Sequence, residues 1–254
     1  MQRFENRTIL VTGGGSGIGQ ATVARLLSEG GQVIAADVSE IGLKATSEAA
    51  KAAGHADRLK LVIADISDEA SVKSALGGAI AEAGRLDVLV NAAGILRSAH
   101  THQTTLEFWN RVLAVNLTGT FLVTREALPA LLKSGRGVVV NFSSTSASFA
   151  HPYMAAYAAS KGGIQSFTHT IAAEYAKQGL RAVAVAPGSI ASGMTDAPGL
   201  PEDSDMSLFM KLSPAIGEGF APPSTVASVV AMLASDDGAF VTGTELRIDG
   251  GTHM

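Results

Sequence analysis

The chain has 254 residues, 46% apolar and 17% charged, enough to bury roughly 70–75% of its unfolded surface around a large core. A formal charge of −4 with no Lys/Arg-rich run argues against a nucleic-acid-binding surface, and the lack of cysteine excludes disulfides and thiolate metal sites. No apolar run approaches the ~18–20 residues of a membrane span and residues 1–7 carry no signal-peptide core, so a cytoplasmic protein with no membrane partner is expected.

Short apolar, β-branched runs alternate with longer alanine-rich helical stretches. In chain order the pattern predicts a strand over 8–12, a helix over 19–29, a strand over 32–37, a helix over 43–53 and a strand over 59–64. Next come a helix over 70–83, a strand over 88–92, a long helix over 106–132, a strand over 137–142 and a helix over 156–177. A strand over 181–187, a helix over 224–234 and a strand over 245–248 complete the series. The strand runs are continuously apolar, as expected where both faces of a parallel sheet are covered. The alternation predicts right-handed βαβ units in an α/β fold: one doubly wound parallel sheet of about seven strands with helices on both faces.

No linker or change of composition divides the chain, which reads as one domain over 1–254. Its irregular stretch, 189–223, holds prolines and glycines together with Met194, Met206, Leu208, Phe209 and Met210. A stretch that long inside a compact domain is usually functional, and these apolar residues suit a mobile lid packed over a substrate.

The run Thr12-Gly13-Gly14-Gly15-Ser16-Gly17-Ile18-Gly19 leaves the first strand and opens the first helix. Glycines there let the backbone turn tightly against a pyrophosphate, while the helix N-terminus offers free N–H groups and partial positive charge. Asp37 ends the second strand, where a carboxylate accepts hydrogen bonds from adenosine ribose hydroxyls and repels a 2′-phosphate. Ser16, Val38, Ser39 and Glu40 bring no cation to receive such a phosphate. NAD rather than NADP is the expected cofactor.

Tyr157 and Lys161 stand one helical turn apart, with Ser144 upstream. On a helix their side chains share a face, with Cβ atoms roughly 6 Å apart. At ~5 Å and an effective dielectric of ~20, the cation favours the phenolate by about 3 kcal/mol, or ~2 pKa units. Burial opposes that shift.

With these motifs in order, the chain resembles the short-chain dehydrogenase/reductase family from Thr8 to Gly251. The resemblance rests on Thr12-Gly13-x-x-x-Gly17-x-Gly19, Asp65 after the third strand and Asn91-Ala92-Ala93-Gly94 after the fourth. It continues through Asn116, Ser144, Tyr157-x-x-x-Lys161 and Pro187-Gly188-x-Ile190. It implies a Rossmann fold and a catalytic set of Asn116, Ser144, Tyr157 and Lys161. Tyr157 would exchange a proton with the substrate oxygen as hydride moves to or from the nicotinamide, and Ser144 would hold that oxygen. Lys161 would lower the Tyr pKa and bond the nicotinamide ribose, and Asn116 would anchor a water linking Lys161 to solvent.

The resemblance also implies that Gly13, Ser16, Gly17, Ile18 and Gly19 surround the pyrophosphate and its ribose. Asp65 and Ile66 would contact the adenine, and Asn91, Ala92, Ala93 and Gly94 would line the groove. Pro187, Gly188, Ile190 and Ser192 would hold the carboxamide side, with Ser192 standing where the family usually has Thr. A homotetramer is the family expectation.

The reading is an NAD-dependent oxidoreductase interconverting a small-molecule secondary alcohol and a ketone. A 3-oxoacyl-thioester reductase is the enzymatic alternative, for which Arg97, Lys133 and Arg136 would supply a basic docking patch. A non-catalytic NAD-binding sensor is the rival of another class. Leu96, Ser146, Phe149, His151, Met154, Met194 and 208–210 are the expected substrate determinants. His100 and His102 lack a third placed ligand for a metal, and none is expected.

Overall fold

A computed structural model describes residues 2–196, 198–217 and 219–254, without the side chain of Lys211. The chain runs β1 (Thr8–Thr12), α1 (Gly17–Ser28), β2 (Gln32–Asp37), α2 (Glu40–Ala52), β3 (Leu59–Ile63), α3 (Glu69–Ser71), α4 (Gly78–Ala83) and β4 (Val88–Asn91). It continues through α5 (Leu106–Leu113), α6 (Gly119–Lys133), β5 (Val138–Phe142), α7 (Ala155–Tyr175), β6 (Arg181–Pro187), α8 (Gly193–Asp196), α9 (Pro223–Ala234) and β7 (Thr244–Ile248). The seven strands form one sheet in the order β3-β2-β1-β4-β5-β6-β7. Every neighbouring pair is parallel.

The inner strands β1, β2, β4, β5 and β6 are buried because helices cover both faces, while the edge strands β3 and β7 stay partly exposed. Leu10 pairs with Ile34 on one side and Leu89 on the other. These three point to the face packed by Leu76, Leu122, Leu131 and Ile171. Their neighbours Val11, Val33 and Val90 point the opposite way, onto Val23, Leu26 and Val230. Strand period two thus divides the sequence into two cores, each buried side chain of this size contributing about 1.5–3 kcal/mol. Helix starts are marked locally: the Ser39 hydroxyl accepts from Gly42 N at 3.1 Å, and Thr105 caps α5 through Phe108 N at 3.1 Å.

Two expected helices are interrupted. A π-helical segment, Val72–Gly77, joins α3 to α4, and another, Ala114–Thr118, joins α5 to α6. The second carries Asn116, whose amide meets the backbone of Ile95 instead of solvent. Just beyond it, a Cβ on Gly119 would lie 2.8 Å from the Ile66 side chain, so glycine lets the helix pass that close. The stretch 189–223 holds α8 and a 3-10 segment, Met206–Leu212, and an Ile190–Ala221 bridge ties its ends together. Residues 197 and 218 of the expected lid lie outside the described residues.

Candidate active site

With all strands parallel, their C-terminal ends meet at one edge, and the order reverses between β1 and β4, where ligands of open α/β sheets bind. A cavity of about 860 Å³ opens there, within the ~300–1,000 Å³ of small-molecule sites. It is lined by Gly13, Ser16, Gly17, Ile18 and Gly19 from the first turn, and by Asp37, Asp65, Ile66, Ala92, Ala93 and Gly94 from the next three strand ends. Ser144, Tyr157, Lys161, Pro187, Gly188, Ile190 and Ser192 line the rest.

The turn after β1 has no room for side chains. A Cβ on Gly19 would sit 2.1 Å from the Gly13 carbonyl oxygen, and one on Gly13 would sit 2.8 Å from Ala93 N. Gly13 and Gly17 also take φ of 71° and 50°, which favour glycine. Ser16 leads into α1 without a side-chain cap, so the helix N-terminus stays open to an anion. Asp37 is aimed by Gly15 N at 3.0 Å and Ser39 N at 2.9 Å. Hydrogen bonding from the Ser67 hydroxyl holds the Asp65 carboxyl below the usual carboxylate range. Glycines at closest approach, an open helix end and an aimed carboxylate at the ribose position fit a dinucleotide.

The other end of the cavity is assembled from β5 and α7. Ser144 follows β5, Tyr157 lies in the first turn of α7, and Lys161 lies one turn further on. The Lys161 ammonium stands 5.6 Å from the Tyr157 ring centre and donates to Phe142 O at 2.7 Å. Burial lowers Lys161 to about 8. Burial also raises the Tyr157 phenol, with hydrogen bonding to Ser144 pulling the other way. Desolvation therefore wins the contest the sequence left open, and Tyr157 is a protonated donor at neutral pH.

One expected contact lies elsewhere. Asn91 does not line the cavity: it is buried behind it, with Nδ2 donating to Thr124 Oγ1 at 3.0 Å and Asn141 Oδ1 at 2.9 Å. Its own Oδ1 finds no partner among the described residues. Asn116 is likewise fully buried, and its side chain braces its surroundings. It accepts from Ile95 N at 2.8 Å and donates to Ile95 O at 2.9 Å and Ser160 Oγ at 3.0 Å. Ser160 in turn donates to the Tyr157 carbonyl at 2.7 Å, so this brace ties the loop after β4 to the start of α7.

Other lining residues carried no sequence signal. Thr252 and His253 reach the cavity from the C-terminal tail, and Arg111 from α5. Thr195 bonds Ser192 N at 2.9 Å and sets that loop. The stretch 189–223 docks on the body through Ser98 Oγ to Pro198 O at 3.0 Å, His100 Nε2 to Asp203 Oδ1 at 2.8 Å and Asp205 N to the Tyr153 hydroxyl at 2.9 Å. Of the basic residues, Arg97 lines the cavity, whereas Lys133 and Arg136 precede β5 at the opposite edge of the sheet. Arg136 there lies 3.5 Å from Asp87.

A family model described as enoyl-(acyl carrier protein) reductase matches residues 13–253. The chain is 38% identical over 249 residues to the 3-oxoacyl-[acyl-carrier-protein] reductase of Thermotoga maritima, covering 98% of each. It belongs to the short-chain dehydrogenase/reductase family. Levodione reductase of Leifsonia aquatica is 35% identical over 255 residues, covering 98% of this chain and 95% of that one. Among solved structures, 3-ketoacyl-(acyl-carrier-protein) reductase from Brucella melitensis complexed with NADH superposes with a TM-score of 0.87 at 28% identity, covering 98% and 99% of the two chains. This short-chain dehydrogenase/reductase is an oxidoreductase acting on CH–OH groups with a nicotinamide cofactor. No helix among the described residues is long and apolar enough to cross a membrane.

The buried lysine makes a stability prediction. Between about pH 8 and 9.5 an unfolded Lys161 keeps a proton that the folded one has released. The unfolded chain then binds more protons, so stability rises with pH. Relative to Lys161→Met, the wild type should gain about 2 kcal/mol of unfolding free energy across that window, measured by urea titration at each pH. A difference independent of pH contradicts the assignment.

Proposed function

We propose that this short-chain dehydrogenase/reductase uses NAD to interconvert a secondary alcohol and a ketone, with Tyr157 exchanging the proton. The observation carrying this reading is the convergence of Ser144, Tyr157 and Lys161 at one end of a cavity whose other end holds the glycine turn and Asp37. Bound there, NAD supplies the ring that accepts or returns the hydride. The chain positions both reactants: residues 13–19 at the pyrophosphate, Asp37 at the adenosine ribose, Asp65 and Ile66 at the adenine. Pro187, Gly188, Ile190 and Ser192 take the carboxamide side. Ser144 holds the substrate oxygen while Tyr157 Oη gives it a proton in reduction and takes one in oxidation. The nearby Lys161 charge eases loss of the phenol proton. Because burial keeps that phenol protonated, oxidation should accelerate as pH rises.

Asp37 supports NAD over NADP through repulsion of a 2′-phosphate. A 3-oxoacyl-thioester reductase is the second reading, favoured by the family description and the Thermotoga relative. Asp37 and the removal of Lys133 and Arg136 from the cavity mouth weigh against it. We take residues 1–254 as one domain with 189–223 as its lid. We also assign it a cytoplasmic homotetramer, with exposed Phe121 on α6, edge-on to Phe167 on α7, as interface.

The test is NADH absorbance with a panel of secondary alcohols. Wild type should turn over with NAD, and Tyr157→Phe should lose about a hundredfold or more in kcat. A loss below about tenfold overturns the role of Tyr157. Asp37→Ser should move the NAD/NADP ratio of kcat/KM toward NADP by about tenfold or more, the equivalent of ~1.4 kcal/mol; an unchanged ratio removes Asp37 as the selector. NAD binding with no turnover across the panel favours a non-catalytic sensor.

A further inference from the structure

Several polar groups lining the cavity take no part in the proposed dinucleotide binding or proton transfer, Thr145, His151, Thr252 and His253 among them. His151 lines the cavity from the loop between Ser144 and Tyr157. Its Nε2 lies 3.2 Å from Thr145 Oγ1, the residue directly after Ser144, while its Nδ1 is engaged by no described residue. The ring is held from behind. His253 stands 5.9 Å away, stacked on Phe149 at 4.0 Å with an interplanar angle of 1°. Arg247 secures the tail by donating to His253 O at 2.7 Å and lies 5.2 Å over the Phe149 ring. His151 therefore lines the same cavity as Ser144 and Tyr157, with one ring nitrogen left to meet a ligand.

We propose that His151 is a specificity-determining residue, whose Nδ1 forms a hydrogen bond with a second, uncharged oxygen function of the substrate, a hydroxyl or carbonyl beside the reacting carbinol. The proposal rests on the alcohol–ketone reading and narrows its substrate class to diols, hydroxyketones and diketones. Burial first, and then the neighbouring His253, lower His151 to about 4, so the ring is neutral at physiological pH. A neutral imidazole offers one donor and one acceptor, which a hydroxyl matches in either sense. A carboxylate would find no fixed positive charge on this ring. Met154 and Phe209 form an apolar cluster beside Tyr157, so the pocket accepts a carbon body but leaves His151 unpaired when the second oxygen is missing.

Matched pairs test this: cyclohexane-1,2-diol against cyclohexanol, and butane-2,3-diol against butan-2-ol. In at least one pair the wild type should favour the diol by about tenfold in kcat/KM. His151→Phe should abolish that preference while leaving the mono-alcohol rate within about threefold, and His151→Gln, which keeps a donor and an acceptor, should restore part of it. No preference in either pair, or an equal loss on both members with His151→Phe, overturns the proposal. Calorimetric binding of the same pairs to the NAD-loaded protein needs no turnover. Tighter diol binding that His151→Phe removes supports the site even if the alcohol–ketone reading fails. Equal binding of both members by wild type overturns it independently.

Discussion

The arrangement depends on β1 ending where the sheet order reverses, in a turn that tolerates no Cβ. Gly19 packs its Cα against the Gly13 carbonyl, which brings α1 down onto the strand end and opens its N-terminus toward the cavity. Because every strand is parallel, the ends of β2 to β6 deliver their residues to this same edge. Asp37 then stands on one side of β1, and Ser144 and Pro187 stand on the other. A chain with one antiparallel strand among these would send that strand's terminal residues to the far edge. The residues proposed for cofactor recognition and for proton exchange therefore share one cavity as a consequence of topology.

The electrostatics follow from burial. Lys161 and Tyr157 are enclosed together, and desolvation moves the two groups in opposite directions, lysine down and tyrosine up. The buried Lys161 ammonium has a carbonyl partner, Phe142 O, beside the phenol. Asn116 and Ser160 keep the helix turn that carries both groups in place. They act on geometry, and their buried hydrogen bonds resist the rotation of α7 that would separate Tyr157 from Ser144.

Much of this was legible in the sequence. The continuous apolar runs predicted all seven strands, and the glycine turn, Asp37, Ser144, Tyr157 and Lys161 all lie where their spacing to strand ends implied. Side-chain direction was less legible. Asn91 occupies the expected element but faces inward, onto Asn141, because a buried amide needs partners that only the folded neighbours supply. The π-helical turns were hidden as well, since a short widened turn shifts the apolar phase by only about one residue. His253 and the Tyr153, His100 and Ser98 contacts to the 189–223 stretch join residues far apart in sequence, and local pattern carries no record of such pairings.

The most direct measurement follows the hydrogen itself. A secondary alcohol deuterated at the carbinol carbon is incubated with the protein and NAD, and the reduced cofactor is analysed by mass spectrometry. The account predicts deuterium in the NADH formed by wild type, at a rate that falls sharply in Tyr157→Phe. Deuterium released to water, or a label transfer unaffected by loss of the phenol, would contradict it.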